Sequence, residues 1–291
     1  LFRSKLFYLA TALIDKRLQD KIISKNRDFM KGYRDDDPYM ERFESDQDLK
    51  RPQPPLVKPA MAGEHAKIVL PKDFSRLSMK NQLVDLIRDR HSARVYTQES
   101  LSLEQLSFLL WATQGVKALR GKAYATLRTV PSGGARHEFE TYLLISKVDD
   151  LAAGAYHYLP MEHALELLHP VENMEAVISD ALCGQSWAAK ANVVFFWTIV
   201  AYRAEWRYGI YAHRPALIDA GHVGQNLYLG CTGLGLGTCG IAAFSHELCN
   251  QVFGLDGEEE FVVYTAPVGT IRESDKAREQ AFYQFVTDEG L

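Results

Sequence analysis

Gly233-Leu-Gly-Leu-Gly-Thr-Cys-Gly-Ile-Ala-Ala-Phe244 is the stretch whose reading decides the fold. Its Gly235, Gly237 and Gly240 satisfy the spacing G-x-G-x-x-G, which marks a dinucleotide-binding turn only between a strand and the helix that the turn opens. Here the preceding element is of the opposite kind. From Arg214 to Cys231, Leu217, Ala220, Gly221, Gly224, Leu227 and Cys231 recur at helical spacing, with small residues where a neighbouring helix can come close. The glycines therefore follow a long helix, and the Rossmann reading is rejected. What remains is a helix C-terminus running into an extended, side-chain-poor stretch that offers backbone N–H groups to a ligand.

Outward from that stretch the elements are strands. Upstream, Asn192 to Ala201 (NVVFFWTIVA) is a near-continuous apolar run of strand length, as expected of a central strand covered on both faces. Phe139 to Ser146 is strand-like, and Ala155–Leu159 with Ala164–Leu168 reads as a hairpin. Downstream, a last strand runs from Glu260 to Ala266 and ends at Pro267. Two helices precede the strands. One spans Met79–Arg90, with Leu83, Leu86 and Ile87 on one side; the other starts at Ser102, where Ser-Leu-Glu-Gln forms a capping box. Both read as half-buried. Helices, strand, hairpin, strand, long helix, strand is an α+β order, without the regular alternation of a doubly wound sheet.

The N-terminal quarter differs. Leu6 to Met30 carries helical periodicity with many charges, and the apolar run Leu6–Ile14 is too short to span a bilayer. From Gly32 to about Pro71 prolines accumulate (Pro38, Pro52, Pro54, Pro55, Pro59, Pro71), which predicts an extended arm or linker rather than a packed element. The expected division is an N-terminal extension and proline-rich arm over 1–75 and a main domain over 76–291. With 47% apolar residues in 291, the chain can fill a large core. A net charge of -4 gives no footprint for nucleic acid. Cys183, Cys231, Cys239 and Cys249 contain no C-x-x-C pair and read as reduced thiols of a cytoplasmic protein, with no metal site and no membrane partner expected.

Three segments carry candidate chemistry. Arg90-His-Ser-Ala-Arg94 puts two guanidiniums, an imidazole and a hydroxyl where a helix ends, a set suited to a phosphate monoester. The plainer reading is that basic residues favour helix C-termini. Pro131-Ser-Gly-Gly134 lies ahead of a strand; its glycines let backbone approach a planar ring, although a simple turn explains the same letters. The third is the Gly233–Phe244 run. By contrast, His246-Glu-Leu-Cys-Asn250 lacks the second histidine of a zinc motif, and nothing orients His222 toward Cys239 as a nucleophile's base.

In this order and at these separations the three segments resemble the nitroreductase-like flavoproteins, over roughly residues 76 to 272. The closest branch is the SagB-type dehydrogenases, which include azoline oxidases of peptide maturation. Asp219-Ala-Gly-His-Val-Gly-Gln-Asn-Leu-Tyr228 is the most specific stretch, followed by Gly235–Cys239, Gly254–Gly257 and Pro267–Gly269; Asn26–Met30 also resembles that branch. The resemblance implies an α+β, FMN-binding fold with a mixed or antiparallel sheet surrounded by helices, dimerising with one FMN per subunit at the interface. Arg90, His91, Ser92 and Arg94 would hold the FMN phosphate and ribityl chain, with Arg272 as a second phosphate contact. Pro131, Ser132, Gly133 and Gly134 would line the flavin of the other subunit. Gly240, Ile241, Ala242 and Ala243 would run past the ring with N–H groups near N5.

Azoline oxidases of this branch share a Lys-Tyr pair after a tryptophan, and here the place reads Trp206-Arg207-Tyr208. An arginine is always protonated and is no general base, which leaves Tyr208 to donate or accept a proton. The expected function is an FMN-dependent oxidoreductase passing hydride between flavin N5 and a peptide or small molecule. The alternatives are a nitro- or quinone reductase fed by NADH or NADPH, and a non-catalytic binding partner using the arm as contact surface.

Overall fold

A computed structural model describes residues 16–31, 43–61, 67–97, 99–281 and 283–290 of the chain. The run Leu6–Ile14 lies outside them. In chain order the elements are α1 (Lys16–Lys31), β1 (Lys67–Val69), α2 (Leu83–Asp89), α3 (Leu103–Gln114), β2 (Val116–Arg120), β3 (Ala125–Arg128), β4 (Phe139–Ile145), β5 (Gly154–Leu159), β6 (Ala164–Pro170), α4 (Met174–Ala181), β7 (Val193–Val200), α5 (Ala201–Tyr208), α6 (His213–Leu234), β8 (Leu236–Thr238), α7 (His246–Phe253), β9 (Glu260–Thr270), α8 (Lys276–Ala281) and α9 (Gln284–Asp288). No helix among the described residues is long and apolar enough to cross a membrane.

Seven strands form one sheet in the order β1-β6-β5-β4-β7-β9-β8, every neighbouring pair antiparallel. Strand β7 is central, as its apolar run demands. Because side chains alternate across a strand, Phe195 and Trp197 join Leu143 and Ile145 on one face, while Val194 and Phe196 join Tyr142 and Leu144 on the other. The first face is covered by Leu106, Leu109 and Leu110 of α3 and by Ala216, Ala220, Val223 and Leu227 of α6. The second is covered by Ile178 of α4 and by Cys249 and Phe253 of α7. At roughly 1.5–3 kcal/mol per fully buried large side chain, these two layers supply most of the drive to fold.

Three expectations need correction. Strand β9 does not stop at Pro267: Pro267 faces Val194 across the ladder, and the strand continues to Thr270, pairing with β8. The β2–β3 hairpin and the short β1 and β8 carry no alternation long enough to read. Helix α2 is only 7 residues, with no buried side chain; Leu83, Val84 and Ile87 are 61%, 74% and 60% exposed. The capping box at Ser102, by contrast, is present, with Ser102 and Gln105 bonding reciprocally.

The proline-rich arm is packed, not free. Its carbonyls accept from buried donors: Arg203 Nε to Pro55 O at 3.0 Å, Arg128 Nη2 to Leu56 O at 3.2 Å, Trp206 Nε1 to Arg51 O at 3.1 Å. Its N–H groups go to buried carboxylates, Lys58 N to Glu140 at 2.7 Å and Met61 N to Glu166 at 2.9 Å. Lys58 Nζ reaches Glu260 at 2.5 Å and Tyr142 Oη at 2.8 Å. Prolines suit such a strap because they remove donors that would otherwise need partners.

Candidate active site

Chain geometry at the end of α2 is set by β8. Ala93 N donates to Thr238 O at 2.9 Å and Thr97 N to Thr270 O at 2.8 Å, so residues 90–97 run beside the sheet edge. Ser92 is half-buried, its Oγ 3.0 Å from the hydroxyl of Tyr228 on α6. Gly240 N donates to that same hydroxyl at 2.8 Å. One tyrosine thus ties the basic segment to the glycine-rich run. The Tyr228 hydroxyl accepts from Gly240 N and shares a hydrogen bond with Ser92 Oγ in which either can donate.

Arg90 lies over the Tyr228 ring, its guanidinium carbon 5.2 Å from the centroid. Arg94 turns the other way, toward Tyr283 Oη at 2.7 Å and the rings of Trp187 and Tyr283. His91 is exposed between two cavities. One, of about 310 Å³, is lined by His91, Val95, Ile271, Arg272, Glu279 and Tyr283; the other, of about 490 Å³, by Lys80, His91, Tyr228, Thr232, Gly235 and Thr238. Both are of the size that takes small ligands, roughly 300–1,000 Å³. Arg272 is exposed and ion-paired with Glu99.

The glycine-rich run is as expected a helix end followed by an extended piece, but the individual glycines answer to the protein. Gly235 caps α6 with φ +69°, in the left-handed region. A Cβ on Gly240 would strike Tyr264 Oη, so the missing side chain there makes room for a tyrosine. Ile241 is bonded both ways to Thr265. Ala242 and Ala243 are exposed, and among the described residues their N–H groups meet no acceptor. If backbone donors serve a ligand here, those two are the ones available. Cys239 is buried beside Arg94; burial pushes its thiol pKa up despite the arginine, which suits packing rather than nucleophilic attack.

The second half of the site is at Pro131–Gly134. Gly134 takes φ +57°, and Gly133 N donates to Asp219 Oδ2 at 2.7 Å. A Cβ on Gly134 would lie 2.6 Å from both Arg207 Nε and Tyr208 Oη. The loop and the Arg207–Tyr208 pair, more than 70 residues apart in sequence, are therefore in contact. Arg207 Nη1 donates to Gln47 Oε1 at 2.9 Å and to Tyr124 Oη at 2.8 Å, which fixes it against the strap. Ser132 Oγ donates to Glu138 Oε2 at 3.3 Å. Burial, and after it the Asp219 charge, raises the Glu138 pKa to about 7.

Asp219 serves the loop and Tyr228 serves the basic segment, and both are on α6 nine residues apart, about 14 Å at roughly 1.5 Å per residue. The two segments are thus held at different places along one helix. Just before Asp219, α6 exposes Leu217 (54%) and Ile218 (53%).

Sequence reading missed the tyrosine that joins the parts, Tyr228, although it closes the most specific stretch. It also missed Tyr264, Gln47 and Tyr124, and it could not see Glu279, whose carboxylate accepts from Arg94 N and Val95 N. Long-range partners of this kind leave no local pattern. Among the described residues no cluster of three or more His, Cys, Asp or Glu is placed to hold a metal.

As to fit, Arg90 and Ser92 offer charge and hydroxyl to a phosphate, Lys80 lines the larger cavity in an ion pair with Asp89, and Ala242 and Ala243 offer exposed donors. The donor set suits a phosphate-bearing ring compound such as FMN.

Comparison with known proteins identifies the family. The family model described as the Nitroreductase family matches residues 87–270. A Methanocaldococcus jannaschii protein named as a nitroreductase is 30% identical over 207 residues, covering 71% of this chain and 98% of that protein. The microcin B17-processing protein McbC of Escherichia coli is 29% identical over 136 residues, 44% of this chain and 49% of McbC. Among solved structures, a Ralstonia eutropha protein described as a nitroreductase superposes with a TM-score of 0.59 at 25% identity, covering 77% of this chain and 98% of that one. The E. coli microcin synthetase McbBCD complex shares the fold, with a TM-score of 0.55 at 20% identity over 90% of this chain and 96% of that one.

Proposed function

Since the chain belongs to the nitroreductase family of oxidoreductases, we propose that it binds FMN between two copies of itself and oxidises or reduces a small molecule or peptide there. The observation that carries this reading is the Tyr228 link, which places a phosphate-suited segment, Arg90–Ser92, against the run Gly240–Ala243 in one rigid unit. When bound, FMN supplies two-electron hydride chemistry at N5.

The chain's own residues have distinct parts in this proposal. Arg90, Ser92 and Lys80 hold the phosphate, His91 and Arg272 border it, and Arg94 contributes from beside Tyr283. The exposed donors of Ala242 and Ala243 face the electron-accepting edge of the ring. Pro131, Ser132, Gly133 and Gly134 line the ring bound by the neighbouring copy, and with them come Arg207 and Tyr208. Tyr208 moves a proton at its hydroxyl, and Arg207, held by Gln47 and Tyr124, keeps a fixed positive charge beside it. Two copies enter the proposal because the exposed apolar residues of α2 and α6, Leu83 with Ile87 and Leu217 with Ile218, would be covered by a second copy that brings each half to its complement.

Relatives point to two substrate classes. The microcin B17- and trifolitoxin-processing proteins are named for peptide products, but the chain spans only 49% and 36% of their lengths. Arg207, in the place of the azoline oxidases' lysine, favours the other class, a reductase drawing on NADH or NADPH.

The test is direct. Purified protein should be yellow and release FMN on denaturation; colourless protein that ignores added FMN overturns the proposal. Anaerobic addition of NADH or NADPH then separates the classes, since rapid bleaching marks the reductase and an unbleached flavin the peptide dehydrogenase.

A further inference from the structure

Helix α1 has the make-up of a surface-bound helix, and its described apolar side chains are exposed. Of the side chains from Leu18 to Lys31, Gln19 is half-buried and the rest are exposed. Leu18, Ile22, Ile23, Phe29 and Met30 are 49%, 42%, 48%, 49% and 71% exposed. At about 100° per residue these five fall within one arc of roughly 140°. An isolated helix of 16 residues is marginal in water, so an apolar face this broad needs an occupant to hold the helix together.

The charges say which occupant. The helix carries six basic and two acidic residues in a chain whose net charge is -4. Lys25 and Arg27 border the two edges of the apolar arc, roughly 20° and 40° from it, while Lys21 and Asp20 lie about 60° outside opposite edges and Asp28 about 80° outside. Long basic side chains flanking an apolar arc can extend sideways to anionic headgroups while the arc enters the acyl boundary. Pairing α1 with the α1 of a second copy would instead bring two basic flanks together. With six basic and two acidic residues among the 16 described, the helix suits the surface of a bilayer rather than its hydrocarbon core.

We propose that α1 anchors the protein to the surface of a bilayer containing anionic phospholipid. This goes beyond the sequence expectation of no membrane partner, which weighed only a spanning segment, and it stands independently of the flavin reading.

The test is sedimentation of the full chain with vesicles. The protein should pellet with phosphatidylcholine–phosphatidylglycerol vesicles and remain in solution with phosphatidylcholine alone. Each basic residue near an anionic surface contributes about fivefold to binding, so Lys21→Gln with Lys25→Gln should weaken it roughly 25-fold. Ile22→Ser with Phe29→Ser should abolish it. These side chains are exposed, so the domain keeps its fold in both variants. Three results would overturn the proposal: no pelleting with anionic vesicles, equal binding by the glutamine variant, or a fall in oligomeric state of the serine variant without any vesicle binding, which would assign the face to a second copy.

Discussion

The carboxylate of Glu279, on α8, accepts the backbone N–H of Arg94 at 2.8 and 2.9 Å, and Val95 N donates to it at 2.9 Å. A negative group from the C-terminal helix thus sits on the segment proposed to bind a phosphate. Glu279→Gln keeps an oxygen acceptor for those donors and removes the charge. Removing one like charge in a half-exposed site is worth about 1 kcal/mol, so FMN should bind roughly fivefold tighter. Titration of FMN fluorescence checks this, and an unchanged Kd would place the phosphate away from Arg94.

Tyr228→Phe removes the acceptor for Gly240 N and the partner of Ser92 Oγ. A part-buried donor left without its acceptor costs about 1–3 kcal/mol. Chemical denaturation should show a loss of that size, and FMN affinity should fall with it because Ser92 and Gly240 are no longer joined. If stability drops while affinity holds, the two segments bind ligand separately.

How much of this was legible follows from where each signal resides. The core strand at Asn192–Ala201, the hairpin, the long helix and the cap at Ser102 show in the sequence because burial and capping act over a few adjacent residues. The loop at Pro131–Gly134 and the pair Arg207–Tyr208 were visible as separate motifs, but their contact through Gly134 was not, since no spacing encodes it. The strap was misread for a physical reason. Proline content suggests a free linker, whereas the donors and acceptors that dock it, Arg203, Arg128, Glu140 and Glu166, belong to distant strands and helices.

That docking makes stability depend on pH from both sides. Burial opposes the Glu140 charge, but Arg203, at 2.6 Å, and His157 outweigh it and lower its pKa to about 2. A carboxylate depressed in the fold stabilises above its unfolded pKa, so the contribution, about 3 kcal/mol, is lost as pH falls from about 4.5 toward 2. Burial likewise opposes charge on His157, yet its bonds to Glu140 and Glu166 keep its pKa raised. A raised histidine contributes fully below its unfolded pKa and loses that contribution as pH rises through the folded value. Thermal melts should therefore show Tm falling at both ends; His157→Gln should flatten the alkaline side and also shrink the acid-side fall, because His157 helps to lower Glu140.

Gly134 and its neighbour Gly133 separate backbone demand from simple space. At Gly134 φ is +57° and a Cβ would press on Tyr208 Oη, whereas a Cβ on Gly133 would find ordinary contacts at 3.5–3.8 Å. Overpacking plus a left-handed backbone should cost Gly134→Ala about 2 kcal/mol, and Gly133→Ala less than about 0.5 kcal/mol. With Tyr208 displaced, turnover in the Gly134 variant should fall at least roughly tenfold. Equal behaviour of the two variants in denaturation and turnover would remove Tyr208 from the site.

The exposed face of α2 sets the last expectation. Leu83 and Ile87 are one helical turn apart and 61% and 60% exposed, on a helix that buries none of its own side chains. Apolar residues so placed mark a protein contact, and α2 leads directly into Arg90. If a second copy covers this face, Leu83→Glu with Ile87→Glu should convert a dimer to a monomer in light scattering. In the proposed two-copy site Pro131–Gly134 of one chain lines the flavin held by the other, so the monomer should also lose its bound flavin. A double variant that stays dimeric would move the contact elsewhere, to the exposed Leu217 and Ile218. A monomer that keeps stoichiometric FMN would show that each chain completes its own site.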